Sequence, residues 1–392
     1  MSRQFGRMPT SSTHRALTEL IRSGMTIAWG DGVGTPLTVA AELSDAARQQ
    51  SDVTLILGWM PVAPDGLDLT AFARVVTLMG GYSLRRPIDA GQVDQLPVRM
   101  GAVPALLERA MRPDLVVLPA RQDDHGFSLT TEVSWLRSAL LTGAQIAVVE
   151  HPQAPRADRG QPLGDQVNVV GTAETGVPQY SWKVPTDIDR DIAERVIAHI
   201  STGDRVQFAP GPLGAAVLSQ LKVAVHIDSG ILTDDVVELD HRGLVLGIPL
   251  GTYLAGTTVL YDWADGRAVL DGVECTHHPG RLAEGPPLIA INTALQIDLD
   301  GQVNVEGANH SALAGIGGQP DYAAAATTSR RGSSIIAVPT KRSGRSTLVE
   351  RLDFPASTPS HDIDVLVTEH GSVDLRGLDR AQRRREIEAL WR

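Results

Sequence analysis

Short apolar runs bounded by turn residues set the rhythm of the first half of this 392-residue chain: Thr26–Trp29, Val53–Leu57, Leu115–Leu118 and Ile146–Val149. Runs of four to five apolar residues without alternation fit strands buried on both faces, as in a parallel sheet. Segments with helical spacing lie between them: Ser12–Ser23 with Leu17, Leu20 and Ile21 on one face, Thr35–Ala47 opening on Pro36, Val103–Met111 and Glu132–Leu141. The alternation predicts βαβ units and a doubly wound sheet. His151–Val177, rich in Pro, Gly, Asp and Gln, reads as a surface excursion near a domain junction.

After that stretch the pattern changes. Asp187–Ile200 reads as a helix, followed by predicted strands at Val223–Ile227, Leu244–Ile248, Thr257–Tyr261, Leu288–Leu299, Val303–Glu306, Ser334–Val338 and Val365–Thr368. Asp300-Gly301 between two strands signals a hairpin, so the second sheet should be mixed. Leu378–Trp391 reads as a basic amphipathic helix. We expect an α/β protein of two open α/β domains, residues 1–185 with a largely parallel sheet and 186–392 with a mixed one.

Composition narrows the function classes. A net charge of −11 argues against nucleic acid or an anionic membrane as the main partner. Cys275 is the single cysteine, which fits a reducing compartment. The polar start Met1–Ser12 lacks the apolar core of a signal peptide, and no apolar run reaches membrane-span length, so a cytoplasmic location is expected.

Two glycine turns carry candidate chemistry. Gly30-Asp31-Gly32-Val33-Gly34-Thr35-Pro36 opens a helix and could present backbone amides to an anion, but it lacks the third glycine of a dinucleotide fingerprint. Gly315-Ile316-Gly317-Gly318-Gln319 could offer amide donors to an oxyanion. Arg330, Arg331, Lys341, Arg342 and Arg345 reverse the local charge and suit phosphate. Glu274-Cys275-Thr276-His277-His278 lacks the ligand spacing of a structural zinc site, so no metal is expected.

Several motifs in series resemble the acetyl-CoA hydrolase/transferase family, class I CoA-transferases of the 4-hydroxybutyrate/acetate type. They are Gly30–Pro36, the Arg85 or Arg86, Gly91 and Pro97 stretch, Asp124–Ser128, Ile291–Leu299 with Gly301–Asn304, Gly315–Tyr322, Ser333–Thr340 and Glu369–Gly377. The resemblance implies an acyl-CoA substrate, no permanently bound cofactor, and a homodimer or higher homo-oligomer. It implies coenzyme A contacts from Gly32, Gly34, Thr35, Gly317, Gly318, Gln319, Arg330, Arg331 and Lys341. It also exposes a departure. The family's glutamate attacks the thioester from a G-V-H-S-E-M-x-S-D-G segment, and here the chain reads His226-Ile227-Asp228-Ser229-Gly230-Ile231-Leu232-Thr233-Asp234. Matched without a gap, Gly230 falls on the glutamate; matched on His226, Asp228 does, at the cost of two inserted residues. The leading expectation is water addition to an acyl-CoA, with Asp228, Asp234 or Glu132 as general base. The alternatives are CoA transfer through Asp228, and a non-catalytic acyl-CoA-binding protein.

Overall fold

The computed structural model describes residues 13–164, 166–308 and 311–392. Met1–Ser12 and the expected helix start at Ser12 lie outside the described residues.

The apolar runs of the first half become one parallel sheet. Thr13–His14, Val167–Thr172, Gln145–Glu150, Leu115–Asp123, Thr26–Trp29, Thr54–Leu57, Arg74–Thr77 and Asp94–Gln95 lie side by side, and Gly126–Ser128 folds back antiparallel on Leu115–Asp123. Strands such as Leu115–Leu118 and Leu55–Leu57 are buried throughout, because helices cover both faces. Val167–Thr172 lies within the stretch read as a surface excursion. Val167 and Val169 alternate inward and carry the sheet one strand further.

The second sheet is mixed. His226–Ile227, Arg205–Phe208, Leu288–Asn292, Ser333–Ala337 and Val365–Thr368 run parallel, and Gly371–Asp374 closes the edge antiparallel. The Asp300-Gly301 turn joins Gln296–Asp298 to Val303–Asn304 in a small separate sheet, with Gly301 at φ +80°. Leu288–Leu299 is therefore two strands in different sheets.

Two expected strands are absent. Thr257–Tyr261 is the start of a helix, Thr258–Ala264. The Thr257 hydroxyl accepts from the Val259 amide and caps it, and this local bond outweighs the strand preference of Thr, Val and Tyr. Leu244–Ile248 forms only a single bridge, Val225 to Val245. The predicted helices at Asp187 and in the tail are present as Asp187–Ile197 and Arg380–Leu390, both opened by capping boxes. Among the described residues no helix is long and apolar enough to cross a membrane.

Candidate active site

In the second sheet the strand that comes first in sequence, Arg205–Phe208, has a neighbour on each side, and connections leave it in both directions. In open α/β sheets such a switch leaves a crevice at the carboxyl ends of the strands. Here that crevice is a cavity of about 380 Å³, within the range of small-molecule sites. Its floor comes from strand ends: Phe208–Pro210, Gly230 and Asn292–Leu295. Gly315–Gln319 forms one wall together with Met79 and Met100, which pack against it from the first half of the chain, and Trp59 and Tyr82 from that half line the cavity too.

The glycine turn leads into the helix Gln319–Thr328, whose first amides have no intrahelical acceptor and point toward the cavity end. Gly317 has φ +65°, a conformation that favours glycine. Gly318 is required for space, since a Cβ there would overlap the His277 ring.

Gly230 lines the cavity, and a Cβ on it would meet only His277 Nε2, at 4.0 Å. Asp228, two residues earlier on an extended segment, is buried outside the cavity. Its two oxygens accept a bidentate pair from Arg281 at 2.8 and 2.9 Å, and Arg205 lies at 3.4 Å. Arg281 also donates to the carbonyls of Cys275 and Thr276, so Asp228 braces the loop that carries His277. Asp234 accepts from the amide and hydroxyl of Thr257 and ties two helix starts together.

Glu132 is fully buried beneath the Gly30–Pro36 turn. Its Oε1 accepts from the Gly34 amide and the Thr131 hydroxyl, and a side chain on Gly32 or Gly34 would collide with it. Gly32 and Gly34 thus enclose a carboxyl group, and neither they nor Thr35 line the cavity; the Thr35 hydroxyl accepts from the Trp29 indole and donates to the Gly30 carbonyl. Asp31 Oδ2 accepts from the Trp59 amide, the Trp135 indole and the Tyr253 hydroxyl at 2.8, 2.9 and 2.6 Å. Trp59 and Tyr253 face the cavity, so this turn supports its wall from behind. Burial raises Glu132 to about 8 and Asp31 to about 6.

Glu132 therefore keeps its proton in the folded state well above the pH at which the unfolded chain releases it. Its contribution to stability is full below about pH 4.5 and is lost as pH rises through about 8. Between pH 6 and 8 the wild-type protein should lose stability by at most about 1.4 kcal/mol per pH unit from this group. Glu132→Gln should flatten that slope, as read from urea unfolding at several pH values.

The basic cluster divides. The helix Gln319–Thr328 runs about 15 Å away from the cavity before reaching Arg330 and Arg331. Arg331 instead lines a separate polar hollow with His199, Ser201 and Asp204. Arg342, on the hairpin of Lys341–Arg342 and Arg345–Ser346, does line the cavity; Lys341 is exposed beside it. The Glu274–His278 stretch also disperses. Glu274 accepts from Ser138, His278 caps the helix Pro279–Ala283, and His277 turns inward to the cavity. In the sequence His277 reads only as a possible metal ligand, and Arg342 as one member of a basic cluster outside the expected coenzyme A contacts. Neither has a local signature, because both reach the cavity through tertiary packing.

Solved structures share this arrangement of one parallel and one mixed sheet. RipA from Yersinia pestis superposes with a TM-score of 0.85 over 96% of this chain and 94% of its own, at 23% identity. Residues 256–390 match the acetyl-CoA hydrolase/transferase C-terminal domain. The 4-hydroxybutyrate coenzyme A transferase of Clostridium kluyveri is 27% identical over 79% of this chain and 77% of its own length. The acetyl-CoA hydrolase of Saccharomyces cerevisiae is 39% identical over 26% of this chain and 19% of its own. Residues 256–390 thus carry that family's C-terminal domain, and most of the chain is similar in sequence to a CoA-transferase.

Proposed function

We propose that this protein binds an acyl-CoA in the cavity and adds water to its thioester carbonyl, releasing the acid and free coenzyme A. The observation that carries this reading is the chemistry of the cavity wall. Gly230 stands there without a side chain, and among the described residues no aspartate, glutamate, serine or cysteine lines the cavity. Covalent CoA transfer needs a side-chain nucleophile that attacks the acyl carbon and then carries CoA. Asp228, the nucleophile of the gapped match, is held by Arg281 outside the cavity. Water has room where a carboxylate would otherwise stand.

In this reading the thioester oxygen points at the amides around Gly317 and Gly318, which stabilise the charge that develops on attack. The domains 1–185 and 186–392 meet across the cavity, and the aromatic wall of Trp59, Tyr82 and Tyr253 receives the acyl group. Arg342 takes the phosphate-contact role expected of the whole basic cluster. Arg342→Ala should weaken coenzyme A binding about tenfold, whereas Arg330→Ala with Arg331→Ala should leave it within twofold, as titration calorimetry would show.

The reading is tested by free-thiol release from acetyl-, butyryl- and benzoyl-CoA in water alone, and then with added carboxylate acceptors. Turnover in water that acceptors do not increase supports hydrolysis. Turnover only with an acceptor restores transfer, and tight binding with no turnover makes this a binding protein.

A further inference from the structure

We infer that His277 is the catalytic side chain of this cavity, accepting a proton from the attacking water at Nε2. The inference rests on the thioester reading above and adds the residue that performs it. His277 is 2% exposed, yet its ring borders the cavity. Its Nε2 packs against Gly318, where the ring fills the space a side chain would need, and is open toward Gly230, whose Cβ would come no nearer than 4.0 Å.

The hydrogen bonds choose the tautomer. The Thr276 hydroxyl lies 2.9 Å from His277 Nδ1 and 3.0 Å from the Gly272 carbonyl. A hydroxyl has one proton, so both contacts are satisfied together only if Nδ1–H donates to Thr276 Oγ1 and the hydroxyl donates to Gly272. Nε2 then carries a lone pair, aimed into the cavity. The edge of the ring packs against Tyr322, with centroids 4.9 Å apart, and the Arg281 bonds to the Cys275 and Thr276 carbonyls fix the loop. The groups facing the imidazole are thus Thr276, Tyr322 and the Asp228-paired Arg281. Burial, helped by the Arg281 charge, lowers the imidazole to about 3 and keeps it neutral at physiological pH.

The step balances without another reagent. Nε2 removes one proton from water as its oxygen bonds to the acyl carbon. The C–S bond then breaks, and the imidazolium returns the proton to the departing CoA thiolate. A buried imidazole is a modest base, but its conjugate acid is strong and readily protonates sulfur. Burial also keeps the ring ready across a wide pH range, since no imidazolium accumulates above about pH 4.

The test compares wild type, His277→Ala, His277→Gln and Thr276→Val for thiol release from acetyl-, butyryl- and benzoyl-CoA, with coenzyme A binding measured alongside. His277→Ala should lower kcat about a hundredfold or more while coenzyme A binding stays within threefold. Thr276→Val, which removes only the hydroxyl that orients the ring, should lower kcat about tenfold with KM unchanged. Wild-type kcat should show no inflection between about pH 5 and 8 from this histidine. His277→Gln guards against misfolding in the alanine variant: with native unfolding and native coenzyme A affinity, it should still lose most of its turnover. If wild type hydrolyses and a folded His277 variant hydrolyses equally, the role of His277 is overturned and the thioester reading stands. If wild type binds coenzyme A but hydrolyses none of the three esters, both are overturned.

Discussion

Gly230→Glu should convert this protein into one that forms a covalent CoA ester on itself. The backbone at Gly230 lies outside the left-handed region, and a Cβ there would meet nothing nearer than His277 Nε2 at 4.0 Å, so the substitution should fold normally. The new carboxylate would enter the cavity facing the glycine turn. It can attack the acyl carbon and expel CoA thiolate as a mixed anhydride. The thiolate can then attack the glutamyl carbonyl, releasing the acid and leaving CoA joined to the introduced side chain. Intact and peptide mass after incubation with acetyl-CoA should show that addition on the peptide carrying the substitution. Hydrolysis should fall in parallel, at least about tenfold, because the carboxylate takes the place of the water in front of His277. A variant that folds, hydrolyses at the wild-type rate and never carries CoA would show that Gly230 does not face the reacting carbon.

Asp228→Ala should have the largest effect on stability. It removes the carboxylate that Arg281 and Arg205 share in a buried setting, leaving two arginines with their charge uncompensated. Breaking a buried pair from one side typically costs about 3–5 kcal/mol. Asp228→Asn keeps the shape and part of the hydrogen bonding, so it should fall between. Both variants should lower turnover, because Arg281 also holds the Cys275 and Thr276 carbonyls in front of His277. Denaturant unfolding alongside thiol release would separate the two losses. A fully stable Asp228→Ala protein with no turnover would restore Asp228 as a candidate nucleophile.

Much of the architecture is legible in the chain because it is written in local chemistry. Unalternating apolar runs such as Leu115–Leu118 have no role except in a sheet covered on both faces, and Asp300-Gly301 supplies the backbone freedom of a hairpin. The glycines of Gly317-Gly318 likewise mark a turn under conformational and steric pressure. Composition misleads where one hydrogen bond decides. Thr257-Thr258-Val259 has the residues of a strand, but the Thr257 cap turns it into a helix.

The site is less legible because its placement depends on contacts distant in sequence. Asp228 reads as a free carboxylate until Arg281, 53 residues later, occupies both its oxygens. Arg331 and Arg342 are near neighbours in sequence, yet the strand Ser333–Ala337 carries the chain from one end of the sheet to the other between them. Glu132 reads as a candidate general base, but the glycines of the first turn pack over it and keep it from the cavity. His277 looks like one ligand in a weak metal pattern, and only packing turns its Nε2 toward Gly230.

That water, rather than a side chain of this protein, attacks the thioester is the step on which the proposed reaction turns. Its most direct test is turnover of an acyl-CoA in ¹⁸O-labelled water, with the protein itself examined by intact and peptide mass during the reaction. We expect one labelled oxygen in the released acid from the first turnover onward and an unmodified protein throughout. An unlabelled first-turnover acid, or CoA or acyl mass on Asp228 or any other residue, would contradict it.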